Sequence, residues 1–494
     1  MFSELGLIDE FVLLALLLSS IIVGVRSGRS NTSVDAYLLG GRSLPWWAIL
    51  GSIVATETST ATVLSVPGEA YGSVGMKWLQ LPLGYIVGRA IVVLVFLPRY
   101  FQGTLFTAYE VLEKRFGTAT RRASSALFLV TRNLGDGLRL FLAGLVLQTL
   151  LGWPFWLSIV VMGVVTVIYT VVGGLRSVVW NDCIQFVIYM LGGIAAVFVL
   201  ASQIPGNWDA IFTYASRYEK LNPFDFQFKL SNPYTFWAGL IGGAVLTIGT
   251  HGTDHMMVQR YLSAKNLKDA GKSLFASGIV VFFQFALFLF IGVQLACFYS
   301  LPGNTAPEKS DQIFIHFIVK HFPSNVGLIG LMLAAVLSAA MSTLSSSLNA
   351  SASAVLNDFW IPLSRQKPTE EQQLRTSHWL TLVFGIIQMC VGIVASTLNQ
   401  TVVTGALKIA GFSAGLLLGI FVLGVFSKRA GQMAALIGAA FGLVVLLIVQ
   451  FGLPAEWAVA WPWLALIGAS VTWAVGELAA LVLPPSPTRE LAST

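Results

Sequence analysis

Long apolar segments constrain the fold of this chain more than any other feature of its sequence. Residues 273–299, for example, form 27 consecutive positions without a charged side chain. A helix needs about 20 apolar residues to cross the hydrocarbon core of a bilayer. Charged residues make up only 11% of the 494 residues, less than half the share of a typical soluble chain. Hydropathy and helix-breaking residues predict an all-α polytopic membrane protein with about 13 transmembrane helices, at 6–25, 44–75, 78–99, 123–151, 154–172, 176–203, 233–260, 273–299, 325–358, 376–398, 402–426, 432–450 and 457–483.

The distribution of basic residues predicts how these spans are oriented. With the N-terminus outside, the inner loops and the C-terminal tail hold 19 of the 29 Lys and Arg residues, Arg260 among them, and the outer loops hold six. Positive charge favours cytoplasmic loops, so we expect a multi-pass protein of the cell inner membrane with its C-terminus in the cytoplasm. The first span follows an acidic start with Asp9 and Glu10, whereas a secretory signal begins with basic residues. We therefore expect this span to remain in the mature protein.

Two of the predicted spans carry polar, glycine-rich segments in their middle. Span 2 contains the run 56–62 followed by Pro67, and span 7 contains the run 247–255. Irregular backbone at membrane depth is tolerated where it lines a cavity, and interrupted helices at matching positions of two halves are typical of inverted-repeat transporters. We expect a peripheral helix at 1–30, two five-helix repeats at 44–203 and 233–427 with broken first helices, and two peripheral helices at 431–484. Packing seams of small residues between unbroken helices are the alternative.

Hydroxyl side chains form one face of predicted span 9. Ser342, Ser345, Ser346 and Asn349 recur at positions i, i+3, i+4 and i+7 of an otherwise apolar helix. Such an oxygen-rich face suits a hard cation, although serines in membrane helices also bond back to their own backbone. Asp182 adds an ionisable group inside span 6, which indicates either a functional site or a position near a helix end.

Four segments of the chain resemble the sodium/solute symporter family. They are 173–185 (GGLRSVVWNDCIQ), the end of the serine-rich helix at 346–349 (SSLN), 65–71 (SVPGEAY) and 254–261 (DHMMVQRY). The number and placement of the spans are most similar to those of the bacterial sodium–sialic acid symporters. The resemblance implies a five-plus-five inverted-repeat fold, like that of amino-acid transporters, in a monomer embedded in the lipid bilayer. It also implies sodium-coupled import of a small organic solute, such as a sugar, an organic acid or a vitamin, by alternating access.

The resemblance further implies which residues bind the ions. The first sodium (Na+) site would be formed by Ala55, Thr58, Ala339, Ser342 and Thr343. The second would be formed by Asp182, Ser342, Ser345 and Ser346.

On the solute side the chain departs from the sialic acid branch. The aligned position of that branch's carboxylate-binding arginine is Gly135 here, so sialic acid is not the expected solute. Six side chains are expected to reach the space between the two broken helices: Ser59, Thr62, Gln80, Asp136, Thr250 and Asp254. Arg132, Arg139, Glu57 and Asp136 could contact the solute or pair with one another.

Other functional classes find less support in the sequence. His251 and His255 are four residues apart, but neither an HExxH pattern nor a third metal ligand accompanies them. The segment 271–273 (GKS) resembles the end of a phosphate-binding loop, but Asn266 stands where that loop needs glycine. The net charge of +6 follows from the inner loops and indicates no nucleic-acid partner. We therefore expect a carrier rather than an enzyme, with a sodium-dependent sensor or a channel as alternatives.

Overall fold

The protein is built from α-helices. The computed structural model describes residues 6–28, 33–103, 105–396 and 402–483, and within these ranges no β-strand occurs, only an isolated bridge between Leu44 and Ala264. The first ten helices are α1 (Leu7–Gly28), α2 (Val34–Leu39), α3 (Trp46–Glu57), α4 (Thr60–Tyr71), α5 (Gln80–Ile91), α6 (Leu97–Tyr100), α7 (Glu110–Phe116), α8 (Thr118–Leu151), α9 (Phe155–Gln203) and α10 (Asn207–Arg217). The next ten are α11 (Gly243–Gly252), α12 (His255–Leu262), α13 (Leu267–Tyr299), α14 (Ile313–His321), α15 (Leu328–Ala354), α16 (Ile361–Leu363), α17 (Glu370–Ala395), α18 (Val402–Phe426), α19 (Gln432–Leu447) and α20 (Pro462–Val482).

Several of these helices have the length and composition of membrane spans. Eight helical runs of the described residues are long and apolar enough to cross a bilayer, and the bent pair α3–α4 makes a ninth. The surface of the bundle is correspondingly apolar, with large side chains more than half exposed at Leu94, Phe198, Phe283, Trp379 and Phe441. Such an apolar surface is typical of a membrane-spanning bundle. The prediction of a polytopic helical membrane protein is confirmed, whereas the thirteen spans and the inverted repeat stay predictions.

The helix α3 ends in the middle of the bundle, and α4 starts after a break of two residues, at an angle of 57°. Thr58 and Ser59 adopt extended backbone conformations at this break. The Thr58 hydroxyl donates to the carbonyl of Val54 (2.7 Å), and Ser59 and Thr62 cap the start of α4 reciprocally. Hydroxyl side chains thus add local hydrogen bonds at the break, beside the backbone bond from the Thr58 N–H to the Val54 carbonyl (3.0 Å), which explains how this threonine- and serine-rich sequence stabilises an interrupted helix.

A second interruption separates α11 from α12. The Thr253 hydroxyl donates to the carbonyl of Gly249 (2.7 Å) at the end of α11. The Asp254 side chain then accepts from the backbone N–H of Met256 (2.9 Å) and caps α12. Both interruptions fall inside the polar segments that stand out in the sequence, and both leave helix ends within the bundle.

The helix α15 forms the centre of the packed bundle. All of its residues except Leu328 and Leu331 are buried, and it packs most extensively against α9. A sharp bend at Gly174 divides α9 where the sequence predicts a boundary between two spans. This residue has a φ of +55°, and a Cβ there would lie 2.5 Å from the carbonyl oxygen of Tyr37, so only glycine fits. The bend brings Asp182, in the second part of α9, next to α3 and α15.

Candidate functional site

A cavity of about 140 Å³ lies between the two interrupted helices. The break of α3–α4 contributes Thr56, Glu57, Ser59 and Thr62, and the α11–α12 segment contributes Thr247, Thr250, His251, Asp254 and Met257. The helix α8 adds Thr131, Arg132, Gly135, Asp136 and Arg139. Trp78, Tyr85 and Phe285 supply aromatic surface. Polar helix ends and apolar rings therefore enclose the same space, which is typical of a small-molecule site.

Two arginines of α8 share one carboxylate at the cavity wall. Arg132 donates to Asp136 (2.9 Å) and to Asp254 at the start of α12 (3.4 Å). Arg139 donates to the other oxygen of Asp136 (2.8 Å). Asp136 is almost completely buried, whereas both arginines keep part of their surface exposed. The sequence left open whether Arg132, Arg139 and Asp136 contact the solute or pair with one another, and in the structure they form ion pairs.

Glu57 belongs to a different charged cluster. Its carboxylate forms an ion pair with Arg89 of α5, which is fully buried and also donates to Ser277 (2.7 Å). A ring nitrogen of His251 lies 3.2 Å from the same guanidinium, and the other ring nitrogen lies 2.7 Å from the Tyr261 hydroxyl. Glu57 therefore pairs with Arg89, a partner that the sequence did not suggest, rather than with Arg132 or Arg139.

Five of the six predicted solute-binding side chains line this cavity, namely Ser59, Thr62, Asp136, Thr250 and Asp254. Gln80 is not among the lining residues. Its side-chain amide donates to the carbonyls of Lys77 (2.9 Å) and Tyr234 (3.0 Å) and accepts from the N–H of Asp225 (3.0 Å). The bonds to Tyr234 and Asp225 fasten the start of α5 to the segment that precedes α11, and together with the local bond to Lys77 they explain why Gln80 is buried away from the cavity.

The residues predicted for the first sodium site lie at the end of α3 and on α15, which packs beside it. A helix end leaves the carbonyls of its last turn without intrahelical partners. One of them, the carbonyl of Thr56, accepts from the Thr343 hydroxyl (3.2 Å), which lies equally close to the carbonyl of Ala339. Ala55 and Thr58 are buried in the same turn. The structure therefore brings the α3 terminus and the hydroxyl face of α15 into direct contact.

The residues predicted for the second sodium site are brought together only in part. Asp182 accepts hydrogen bonds from Ser342 (2.5 Å) and from Ser52 of α3 (2.5 Å). Ser346 lies one turn further along α15, 3.1 Å from the Thr56 hydroxyl. The Ser345 hydroxyl instead donates to the carbonyl of Ser342 on its own helix (3.1 Å).

Arg260 is a further member of the polar cluster around Asp182. Arg260, counted among the loop cations, is fully buried in the last turn of α12, so that assignment was wrong. Its guanidinium donates to Ser52 (2.9 Å), Thr56 (2.6 Å) and Ser346, and it lies 3.4 Å from Asp182. A buried carboxylate such as Asp182 needs a nearby positive charge, and this requirement could have indicated that a nearby arginine is buried as its partner.

The chain matches the family model of the sodium:solute symporter family over residues 37–442. It belongs to this family. The family resemblance predicted from the sequence is thereby confirmed. Among its relatives, the human sodium/iodide cotransporter is 30% identical over 436 residues, covering 87% of this chain and 67% of the relative. The sodium/sialic acid symporter SiaT of Proteus mirabilis is 28% identical over 456 residues, covering 91% of this chain and 90% of the relative.

Solved structures of transporters are similar to this chain as well. A Na+-coupled sialic acid symporter in a substrate-bound, outward-open state superimposes with a TM-score of 0.87 and 26% identity, covering 97% of this chain and 99% of that one. The nucleobase-cation symporter Mhp1 in a closed conformation shares the fold alone, with a TM-score of 0.57 and 13% identity over 90% of this chain and 94% of the other. The relatives are transporters, and the chain has their helical membrane fold.

Proposed function

We propose that this protein imports a small organic solute together with sodium across the cell inner membrane by alternating access. The observation that carries the proposal is the contact between the broken helix α3–α4 and the hydroxyl face of α15, directly beside a cavity at the same break. A binding site for a cation and a binding site for a solute then share one structural element. Such sharing is what coupled transport requires, because each ligand must influence the affinity for the other.

The proposed architecture has thirteen spans and two inverted five-helix repeats. The peripheral N-terminal helix would occupy 1–30, the repeats 44–203 and 233–427, and the two C-terminal helices 431–484. Support comes from the two interrupted helices, α3–α4 and α11–α12, which would begin the two repeats. The excess of basic residues in one set of loops supports an outer N-terminus and a cytoplasmic C-terminus, and we propose a monomer as the functional unit.

The first proposed sodium site uses Ala55 and Thr58 of the broken helix with Ala339, Ser342 and Thr343 of α15. The C-terminal end of α3 carries partial negative charge from its carbonyls, which favours a cation there. Neutral oxygen ligands suit a hard monovalent ion. Thr343 supports this assignment because its hydroxyl oxygen already lies 3.2 Å from two carbonyl oxygens, one on each of the two helices.

The second proposed sodium site uses Asp182, Ser342, Ser345 and Ser346. Ser342 belongs to both proposed sites, and its hydroxyl contacts Asp182 (2.5 Å). Ser345 and Ser346 would have to turn their hydroxyls toward Asp182, because one is bonded to its own helix and the other accepts from Arg260. Occupation of this site is therefore expected to rearrange side chains, whereas the first site is closer to preformed.

The charges around the cavity restrict the solute. Arg132 and Arg139 are balanced by Asp136 and Asp254, and Glu57 is balanced by Arg89. A polyanion would find no excess positive charge there, so a hydroxyl-rich or amide-bearing solute, or one with a single carboxylate, fits better. The hydroxyls of Ser59, Thr62 and Thr250 offer hydrogen bonds, and the rings of Trp78, Tyr85 and Phe285 can cover an apolar part.

Uptake into proteoliposomes tests the proposal. A thermal-shift screen of sugars, organic acids and vitamins, each with and without sodium, first identifies a solute. Its uptake should then require an inward sodium gradient and collapse when choline or potassium replaces sodium. Net accumulation above the outside concentration separates a carrier from a channel or a sensor. Equal uptake driven by a proton gradient alone would contradict the sodium assignment.

A further inference from the structure

Arg260 contacts two of the four residues of the second proposed sodium site, Asp182 and Ser346. The side chain is fully buried, and one nitrogen, Nη2, contacts the hydroxyls of Thr56 (2.6 Å) and Ser346 and lies 3.4 Å from the Asp182 carboxylate. Nε donates to the hydroxyl of Ser52 (2.9 Å), which itself donates to Asp182 (2.5 Å). Arg260 therefore neutralises Asp182 both directly and through a shared serine.

A sodium ion in the second proposed site would compete with this guanidinium nitrogen for the oxygens of Asp182 and Ser346. Both are cations, and each needs the lone pairs of Ser346 and of the carboxylate. A buried carboxylate in turn requires one nearby positive charge, because an unpaired charge in the interior is strongly unfavourable. Replacement of one cation by the other satisfies both conditions, whereas addition of sodium beside the guanidinium would leave an excess positive charge.

We propose that the Arg260 guanidinium is a tethered cation that exchanges with sodium at Asp182, and that this exchange links sodium binding to the solute cavity. The inference rests on the proposed sodium-coupled transport and assigns a positioning role to a residue outside both ligand sets. When sodium binds, Arg260 leaves Asp182, and α12 loses the contacts that Arg260 makes with α3 and α15.

The helix α12 is the element that carries this change to the cavity. Its N-cap residue Asp254 lines the cavity and forms an ion pair with Arg132 (3.4 Å). Arg260 follows six residues later, which is about 9 Å along an α-helix. One short helix therefore has one end at the solute and the other at the second sodium site. A shift of α12 would alter the Asp254–Arg132 pair, and by the same linkage a bound solute would alter sodium affinity.

The experiment measures sodium binding to purified protein without solute, as the sodium concentration that gives half of the maximal thermal stabilisation. Thr343→Ala is used as background so that the second site dominates the response, and potassium or choline keeps the ionic strength constant. In this background Arg260→Ala should lower the half-saturating sodium concentration about tenfold, within the range of ordinary coupling factors. Millimolar guanidinium should raise it again by competition. Asp182→Asn should abolish both the sodium response and the guanidinium effect.

Other outcomes of the same titrations overturn the inference. A purely structural ion pair would make Arg260→Ala less stable at every sodium concentration without a lower half-saturation point, and guanidinium would not compete. If Arg260→Ala does not fold, Arg260→Gln serves instead, because glutamine removes the charge but keeps a hydrogen-bonding side chain. An unchanged half-saturation point in a folded Arg260→Gln variant also contradicts the exchange. Failure of the proposed function looks different, since the unmodified protein itself would then show neither sodium-driven uptake nor stabilisation specific to sodium.

Discussion

Replacement of Thr343 by valine tests the first proposed sodium site with little change of shape. Valine keeps the branched side chain and its volume but removes the hydroxyl that lies 3.2 Å from the carbonyl oxygens of Thr56 and Ala339. Because the buried packing is retained, the expected change is confined to the oxygen ligand. We expect a higher sodium requirement with little loss of folded protein.

The magnitude follows from two opposing contributions. An interaction between a polar group and a charged one contributes about 1.5–3 kcal/mol, whereas a neutral hydrogen bond contributes about 0.5–1.5 kcal/mol. The variant loses the first contribution when sodium is bound and the second when it is not. The difference is about 1–2 kcal/mol, and since about 1.4 kcal/mol corresponds to tenfold, the half-saturating sodium concentration should rise about 5- to 30-fold.

The assay is a sodium titration of solute uptake in proteoliposomes, repeated as a sodium titration of thermal stability. Thr343→Ser restores a hydroxyl at the same position and should recover most of the sodium affinity. Ser353→Ala is a matched control, because Ser353 lies on the same helix about 15 Å away, where its neighbour is Asn357. A half-saturating concentration within twofold of the unmodified protein, in a folded Thr343→Val variant, would refute the assignment of Thr343 as a ligand.

Three further predictions concern the second ion site and the cavity. Asp182→Asn should reduce the Hill coefficient of sodium-dependent uptake from above one towards one, whereas a coefficient of one in the unmodified protein would leave Asp182 a structural role. Ser59→Ala and Thr62→Ala should each weaken solute affinity in binding titrations and leave sodium binding without solute near normal; unchanged affinity in both would place the pocket elsewhere. Gln80→Ala should leave solute affinity unchanged but lower stability by about 2–4 kcal/mol in thermal denaturation, because three partly buried hydrogen bonds are lost.

The helix interruptions could be predicted from the sequence because their causes are local. The Thr58 and Thr253 hydroxyls donate to carbonyls four residues earlier, and Ser59 and Asp254 act as N-caps. Each of these interactions joins residues close together in the chain, so residue type and spacing are sufficient to indicate it. The bend at Gly174 is similar, since the glycine pair at 173–174 separates two apolar segments.

The partners of the buried charges could not be predicted in the same way. Glu57 pairs with Arg89, and Asp182 with Arg260, across 32 and 78 positions of the chain. Such pairs depend on how the helices pack and not on local periodicity. Arg260 was assigned to a loop because it follows the polar break of span 7 and precedes Lys265 and Lys268, which is the pattern of a basic loop. Gln80 was expected to reach the cavity, whereas its side chain bonds to the backbone of Lys77, Tyr234 and Asp225, and the Gln80→Ala variant tests whether it contributes to solute binding.

The balance of buried charges connects the two proposals. In the part of the chain that the structure describes, the arginines beside the cavity are matched by carboxylates, and Arg260 is matched by Asp182. A sodium ion that enters the second site therefore adds one uncompensated positive charge unless Arg260 withdraws. The withdrawn guanidinium then needs a new partner, and a solute carboxylate near Asp254 and Arg132 would reduce the cost of its displacement. Electrostatics alone would thus make sodium and an anionic solute each favour the binding of the other, with α12 as the element that both ligands move.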